Sequence, residues 1–199
     1  MTAEHDHSKE TDHDHDRDRG HGDDQDHDHS HHHDHHGHDL DRVGVAIVTV
    51  TSSRTMDEDP SGELIASILQ DAGHEIAVRE LIPDDLDRVQ GTIDRLVSRD
   101  DTDVVVTTGG TGVTPDDVTP EAIDPLFDKE LPGFGETFRR LSYAEIGTRA
   151  IGSRATAGIA NGAVVFCLPG SESAVRLGIE DIILPEIGHL AGLARREEQ

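Results

Sequence analysis

Three features of this 199-residue chain predict an α/β fold, with helices packed on both faces of a mostly parallel, doubly wound sheet, a three-layer αβα arrangement. Continuously apolar, β-branched runs recur at RVGVAIVTVT (42–51), EIAVRELIP (75–83) and DVVVTTGGTG (103–112). Strands buried on both faces need runs of this kind. Segments of helical spacing separate them, and the third run ends in glycines, so the order is β-α-β-α-β with right-handed crossovers.

The first run leads into a polar loop, SSRTMDEDPSG (52–62), and then ELIASILQDAGHE, where Leu64, Ile65, Ile68 and Leu69 share a helical face and Gly73 supplies a stop. From 84 to 99, Leu86, Val89, Ile93, Leu96 and Val97 repeat at helical spacing, with Asp84 or Asp85 able to cap the start. Thr119-Pro120 reads as a cap followed by a first-turn proline and predicts a short helix to 127. A longer amphipathic helix is expected over 133–146, carrying Phe134, Phe138, Leu141 and Ile146. RATAGIANGAVVFCLPG (154–170) reads as two strands joined at Asn161-Gly162, a dipeptide favoured in two-residue hairpin turns. Closing helices are expected over 171–181 and 184–196. All five aromatic residues lie between 127 and 166, which should anchor the core, and no internal repeat is visible.

The formal charge of −25 is unevenly divided. Residues 1–39 hold 13 of the 15 histidines and 13 acidic residues against Lys9, Arg17 and Arg19, a net −10. With Met1 and Ala3 as its only hydrophobic residues, this segment cannot offset the entropy of ordering and is expected to be a disordered His/Asp-rich tail. Residues 40–199 are 40% hydrophobic, enough for one domain, and carry −15. Such acidity repels phosphate backbones and anionic lipid, so nucleic-acid and membrane-surface partners are not expected. No apolar stretch approaches the roughly 20 residues of a membrane span. The polar, acidic N-terminus has no signal-peptide pattern, and a lone Cys167 excludes a disulfide framework, so a cytoplasmic location is expected. Fifteen Arg to two Lys on an acidic chain is a composition expected of a halophilic, high-salt cytoplasm.

In an open α/β sheet the ligand sits beyond the carboxyl ends of the strands. Four loops emerge there, at 51–62, 83–85, 108–119 and 169–173. The third, TTGGTGVTPDDVTPEA (107–122), is the most informative. Gly109, Gly110 and Gly112 let backbone approach a ligand closely, and Thr108 and Thr111 add hydroxyls. A tight turn after a strand would need the same glycines. Neither the Walker nor the dinucleotide spacing is present. Asp116, Asp117 and Glu121 follow at once, and carboxylates beside a phosphate cradle make sense if a divalent cation bridges them.

TTGGTG (107–112), DVTPEA (117–122) and LPGFGE (131–136) together resemble the molybdopterin adenylyltransferase family, the MogA/MoaB proteins of molybdenum cofactor biosynthesis. SSR at 52–54, SG at 61–62, IPDD at 82–85, SRATAG at 153–158 and LPGS at 168–171 extend the resemblance over residues 43–195. It implies a MogA-like fold, shared with the gephyrin and plant cofactor-insertion protein domains. It also implies Mg2+-assisted transfer of AMP from ATP onto the terminal phosphate of molybdopterin. The resemblance assigns catalysis and Mg2+ binding to Asp84 and Asp117. Ser52, Thr108, Gly109, Gly110, Thr111, Gly112, Glu121, Ser153, Arg154, Pro169, Gly170 and Ser171 become molybdopterin- or nucleotide-binding residues. A homotrimer or homohexamer follows as well, together with handover to the molybdotransferase of the next pathway step. Many family members carry Arg-Asp where this chain reads Asp116-Asp117. That substitution calls for another cation (Arg54, Arg139, Arg140 or Arg154), a larger part for metal, or weaker catalysis.

Other assignments remain open beside these. Asp84 also suits a helix cap and Ser171 a capping serine, while Cys167, between Phe166 and Leu168, reads as core. Isolated His74 and His189 read as structural. In the tail, His31, His32, His33, His35 and His36 interleave with acids in a pattern unlike an affinity tag. Flexible imidazoles and carboxylates of this kind bind Zn2+ or Ni2+, so metal buffering is an alternative activity, as is non-catalytic pterin carriage.

Overall fold

The computed structural model describes residues 39–53 and 55–195. The elements run β1 (Gly44–Val50), α1 (Pro60–Asp71), β2 (Glu75–Ile82), α2 (Leu86–Val97), β3 (Val104–Thr108), α3 (Thr119–Ile123), β4 (Lys129–Glu130), α4 (Pro132–Ile146), β5 (Thr156–Ala160), β6 (Ala163–Leu168), α5 (Glu172–Gly178) and α6 (Leu184–Ala194). Among the described residues six strands form one sheet in the order β2-β1-β3-β6-β5-β4. β2, β1, β3 and β6 are parallel, and β5 is antiparallel to both its neighbours. This is the three-layer, mostly parallel architecture expected from the sequence.

Alternate residues of the buried strands feed two cores, as a period of two requires. Val45 and Ile47 pack with Ile65 and Leu69 of α1, Phe138 of α4 and Ile187 of α6. Ala46, Val48 and Val50 face Val89, Ile93 and Leu96 of α2 and Ile123 of α3. Phe134 packs against Phe166 with ring centroids 5.2 Å apart and planes tilted by 55°, so the aromatic segment does anchor one core. Tyr143, by contrast, is exposed. The Asn161-Gly162 turn closes the β5–β6 hairpin with both φ angles positive, 47° and 75°, as a two-residue turn matching strand twist demands.

Of the two caps expected for α2, Asp85 is the one used, accepting from the Arg88 amide at 2.9 Å, which leaves Asp84 free of that task. Three details depart from expectation. Thr119 is not a cap: it is the first residue of α3, and Pro125 ends that helix in a 3-10 turn over Asp124–Leu126. α5 and α6 are not separate, because a π-helical turn, Ile179–Ile183, joins them. The two-residue β4 was too short to carry a periodic signal.

α1 starts at Pro60, earlier than its apolar spacing showed, because Asp59 caps it by accepting from the Gly62 amide at 3.0 Å. The same carboxylate accepts from Thr49 of β1 at 2.8 Å and from the Arg79 guanidinium of β2 at 3.1 Å. Its side chain is fully buried. One residue thus ties two strands to the helix start beneath the carboxyl ends of the sheet. Asp59→Ala removes the cap and leaves Arg79 without its buried partner. The expected cost is about 3 kcal/mol, seen as a lower urea midpoint with an unchanged m-value.

Candidate functional site

A cleft of about 740 Å³ opens at the carboxyl ends of β1, β3 and β6, where an open α/β sheet places its ligand. Its floor is the loop after β3. At Gly109 φ is +100°, and an added Cβ would lie 2.2 Å from the Val50 carbonyl oxygen. Gly110 has φ +65°, with a Cβ position 2.2 Å from the Thr119 hydroxyl and 3.0 Å from an Asp84 carboxylate oxygen. These glycines are demanded by close approach as well as by handedness. The Gly109 amide donates to Leu168 O at 3.0 Å, and the Thr108 hydroxyl to Pro169 O at 3.1 Å, so the loops after β3 and β6 are stitched together. Pro169, Gly170 and Ser171 line the cleft on that side, and Ser171 also caps α5, accepting from the Ala174 amide at 3.3 Å.

Thr111, Gly112, Ser52 and Ser153 line the same cleft, together with three carboxylates, Asp84, Asp116 and Asp117. Asp84 and Ser52 bond reciprocally: the Ser52 hydroxyl donates to the carboxylate at 3.1 Å and accepts from the Asp84 amide at 3.3 Å. Asp117 accepts from the Thr114 amide at 2.8 Å and hydroxyl at 2.6 Å. Burial opposes its ionisation, but these bonds, the Gly112 amide and nearby Arg154 outweigh that and hold its carboxyl below the ordinary 3.8.

Two expected ligand contacts lie elsewhere. Arg154 and Glu121 line a neighbouring hollow of about 480 Å³ and not the cleft. The Arg154 guanidinium is committed to protein partners, donating to Gly112 O at 2.6 Å, to Asp117 O at 2.8 Å and to the Glu121 carboxylate. Its hydrogen bond and charge hold the Glu121 carboxyl low, while burial and then Glu130 and Glu121 push Asp124 up. Of the other cations considered for the Asp116 position, Arg139 donates to Ala155 O at 3.1 Å, also beside that hollow, and Arg54 lies outside the described residues. The tail histidines His31, His32, His33, His35 and His36 lie outside them too. Cys167 is wholly buried and its thiol is pushed up to about 12 by burial, which fits a core residue.

Sequence reasoning missed Ser61, Phe138, Ser142 and Ile146. Ser61 is buried and donates to Gly170 O at 2.9 Å. Phe138, Ser142 and Ile146 form an i, i+4, i+8 stripe of α4 that walls the cleft. The only signal for that stripe was a serine interrupting an apolar helical face.

Fold and cleft together define a doubly wound α/β protein with a glycine-floored, carboxylate-rich site at its topological top. Residues 46–189 match the profile of a probable molybdopterin binding domain. "Molybdenum cofactor biosynthesis protein B" of Bacillus subtilis is 47% identical over 149 residues, covering 74% of this chain and 88% of that protein. A crystal structure of molybdenum cofactor biosynthesis protein B superposes with a TM-score of 0.76 at 44% identity, covering 78% of this chain and 98% of that one. The tungsten cofactor synthesizing protein MoaB from Pyrococcus furiosus gives 0.70 at 43%, with the same coverage. The chain belongs to the MoaB/MogA family of molybdenum cofactor biosynthesis proteins.

Because the Asp117 pKa is depressed in the folded state, the stability it contributes is present above 3.8 and is lost as pH falls through the lowered native value. Asp117→Asn should therefore flatten the acid limb of stability, measured by urea unfolding from about pH 5 down to about pH 2.

Proposed function

We propose that the chain acts in molybdenum cofactor biosynthesis by adenylylating molybdopterin with Mg2+ and ATP. A terminal phosphate oxygen of the pterin attacks the α-phosphorus of ATP, a new P–O bond forms, the α–β bridge breaks, and pyrophosphate leaves. The observation that carries this reading is the cleft's composition. A glycine floor faces three carboxylates, and among the described residues no Lys, Arg or His lines it. A polyanion enters such a site only with divalent cations. Magnesium is commonly held by one or two carboxylates together with substrate phosphates. Asp84 and Asp117 fit that donor set, and among the described residues no three His, Cys, Asp or Glu could cage a metal by themselves. Bound there, Mg2+ would neutralise charge on the phosphates being transferred.

The protein's own work is alignment. Ser52 holds Asp84, Thr114 holds Asp117, and Ser61 fixes the Gly170 carbonyl. No general base is required, because a phosphate monoester is largely dianionic at neutral pH. The α4 stripe of Phe138 and Ile146 offers the apolar wall a flat heterocycle needs. Val113, Tyr143 and Ile151 are exposed apolar side chains; the homotrimer or homohexamer and the handover to the molybdotransferase of the next step rest on the family alone.

Asp116 in the cleft favours a second reading, a molybdopterin carrier without turnover, since a third carboxylate adds repulsion to a triphosphate. Incubation with molybdopterin and Mg-ATP decides between them: adenylylated pterin and pyrophosphate are expected, and pterin binding without product would establish the carrier. Asp84→Ala and Asp117→Ala should each lower kcat by about a hundredfold or more, as removal of charge-positioning groups does at such sites.

Thirteen histidines among 13 acids in residues 1–39 support a further role, holding Zn2+ or Ni2+ for buffering or delivery. Equilibrium dialysis should show Ni2+ bound by the full chain and lost from one beginning at Leu40, with adenylylation unchanged.

A further inference from the structure

Four consecutive carbonyl oxygens of the glycine loop accept hydrogen bonds from residues that do not line the cleft. Gly109 O accepts from the Thr119 hydroxyl at 3.0 Å, and Gly110 O from the Thr119 amide at 3.0 Å. Thr111 O accepts from the Arg154 amide at 3.1 Å, and Gly112 O from Arg154 Nε at 2.6 Å. A peptide carbonyl carries the negative end of its dipole. In a cleft already holding Asp84, Asp116 and Asp117, four carbonyls facing inward would repel any anion. Thr119 and Arg154 draw all four to the far side.

Neither residue does this through net charge. Thr119 is neutral and wholly buried, and the Arg154 cation is matched by Glu121. The Arg154 side chain instead uses its planar fork: Nε takes Gly112 O, Nη2 takes Asp117 O, and Nη1 takes Glu121. The second of these bonds also secures the backbone of Asp117. A lysine would keep the charge and lose the fork. On the Thr119 side, the hydroxyl fills the space a Gly110 side chain would need, so the glycine and the threonine are matched to one another.

We propose that Thr119 and Arg154 are positioning residues that set the polarity of the glycine loop, turning its carbonyls from the cleft so that the loop accepts a phosphate-bearing ligand. The inference rests on the adenylylation reading only in taking that ligand to be a polyphosphate. In this reading Arg154 acts behind the loop and not through contact with substrate.

The test is calorimetric titration of the full chain with inorganic pyrophosphate in Mg2+, at a temperature where circular dichroism shows every variant folded. Thr119→Val and Arg154→Lys should each weaken binding about tenfold, whereas Thr119→Ser should stay within about twofold of the unsubstituted chain. Amide exchange at 109–112 should quicken in the first two variants and not in the third. Undiminished pyrophosphate binding by Thr119→Val or by Arg154→Lys, or no binding by the unsubstituted chain, would each overturn the proposal. Weakened binding in the variants of a chain that makes no adenylylated pterin would uphold it while removing the adenylylation reading.

Discussion

The contact between Gly109 and β1 constrains everything above the sheet. The Val50 carbonyl occupies the place where any side chain at 109 would begin, so the chain leaving β3 passes against its neighbour with no room to shift. The Gly109 amide is bound to the end of β6 on the other side. Three parallel strands therefore meet at one residue, and the loops that follow them share a common floor. Asp84 reaches that floor from the end of β2, and Ser61 reaches it from the start of α1. Rigid strands beneath and short loops above are what hold reactive groups within fractions of an ångström.

An acidic protein with an acidic cleft is on charge alone an unfavourable partner for phosphates, and under the proposed function the arrangement of dipoles meets that difficulty. Among the described residues no side chain lining the cleft is basic. Under the proposed function, oriented peptides and cations that enter with the ligand supply the positive character that these side chains do not. The carboxylates then become an asset, because they give those cations something to hold. Donors from Thr114 and Gly112 favour the ionised form of Asp117, and Ser52 fixes the position of the Asp84 side chain. The same logic explains why Arg154 lies behind the loop. Its directional bonds shape the backbone there, while Glu121 absorbs its charge.

Much of this was legible before any coordinates. β-branched runs announced the buried strands, Asn161-Gly162 announced the hairpin, and the glycines after β3 marked the floor. Asp84 and Asp117 stood out because they follow strand ends within recognisable motifs. Arg154 was read as a ligand contact because an arginine near a glycine loop looks the same in sequence whether it faces the anion or the backbone. Ser61, though part of a quoted motif, and Ser142 were given no role because a serine carries no sign of whether its hydroxyl meets a carbonyl, a ligand or water. The assignment of Thr119 as a cap failed because Thr119 is already the first residue of its helix. Its hydroxyl instead donates to Gly109 O, ten residues away, a contact visible only once the loop has folded back.

Sequence alone determined the class of fold, the order and approximate extent of its major elements, and the family, since these depend on local periodicity, turn chemistry and ordered motifs. Tertiary structure decided which groups share the cleft and which brace it from behind. Directionality is the reason: a hydrogen bond depends on where two atoms point after distant segments have packed, and no spacing along the chain encodes that angle.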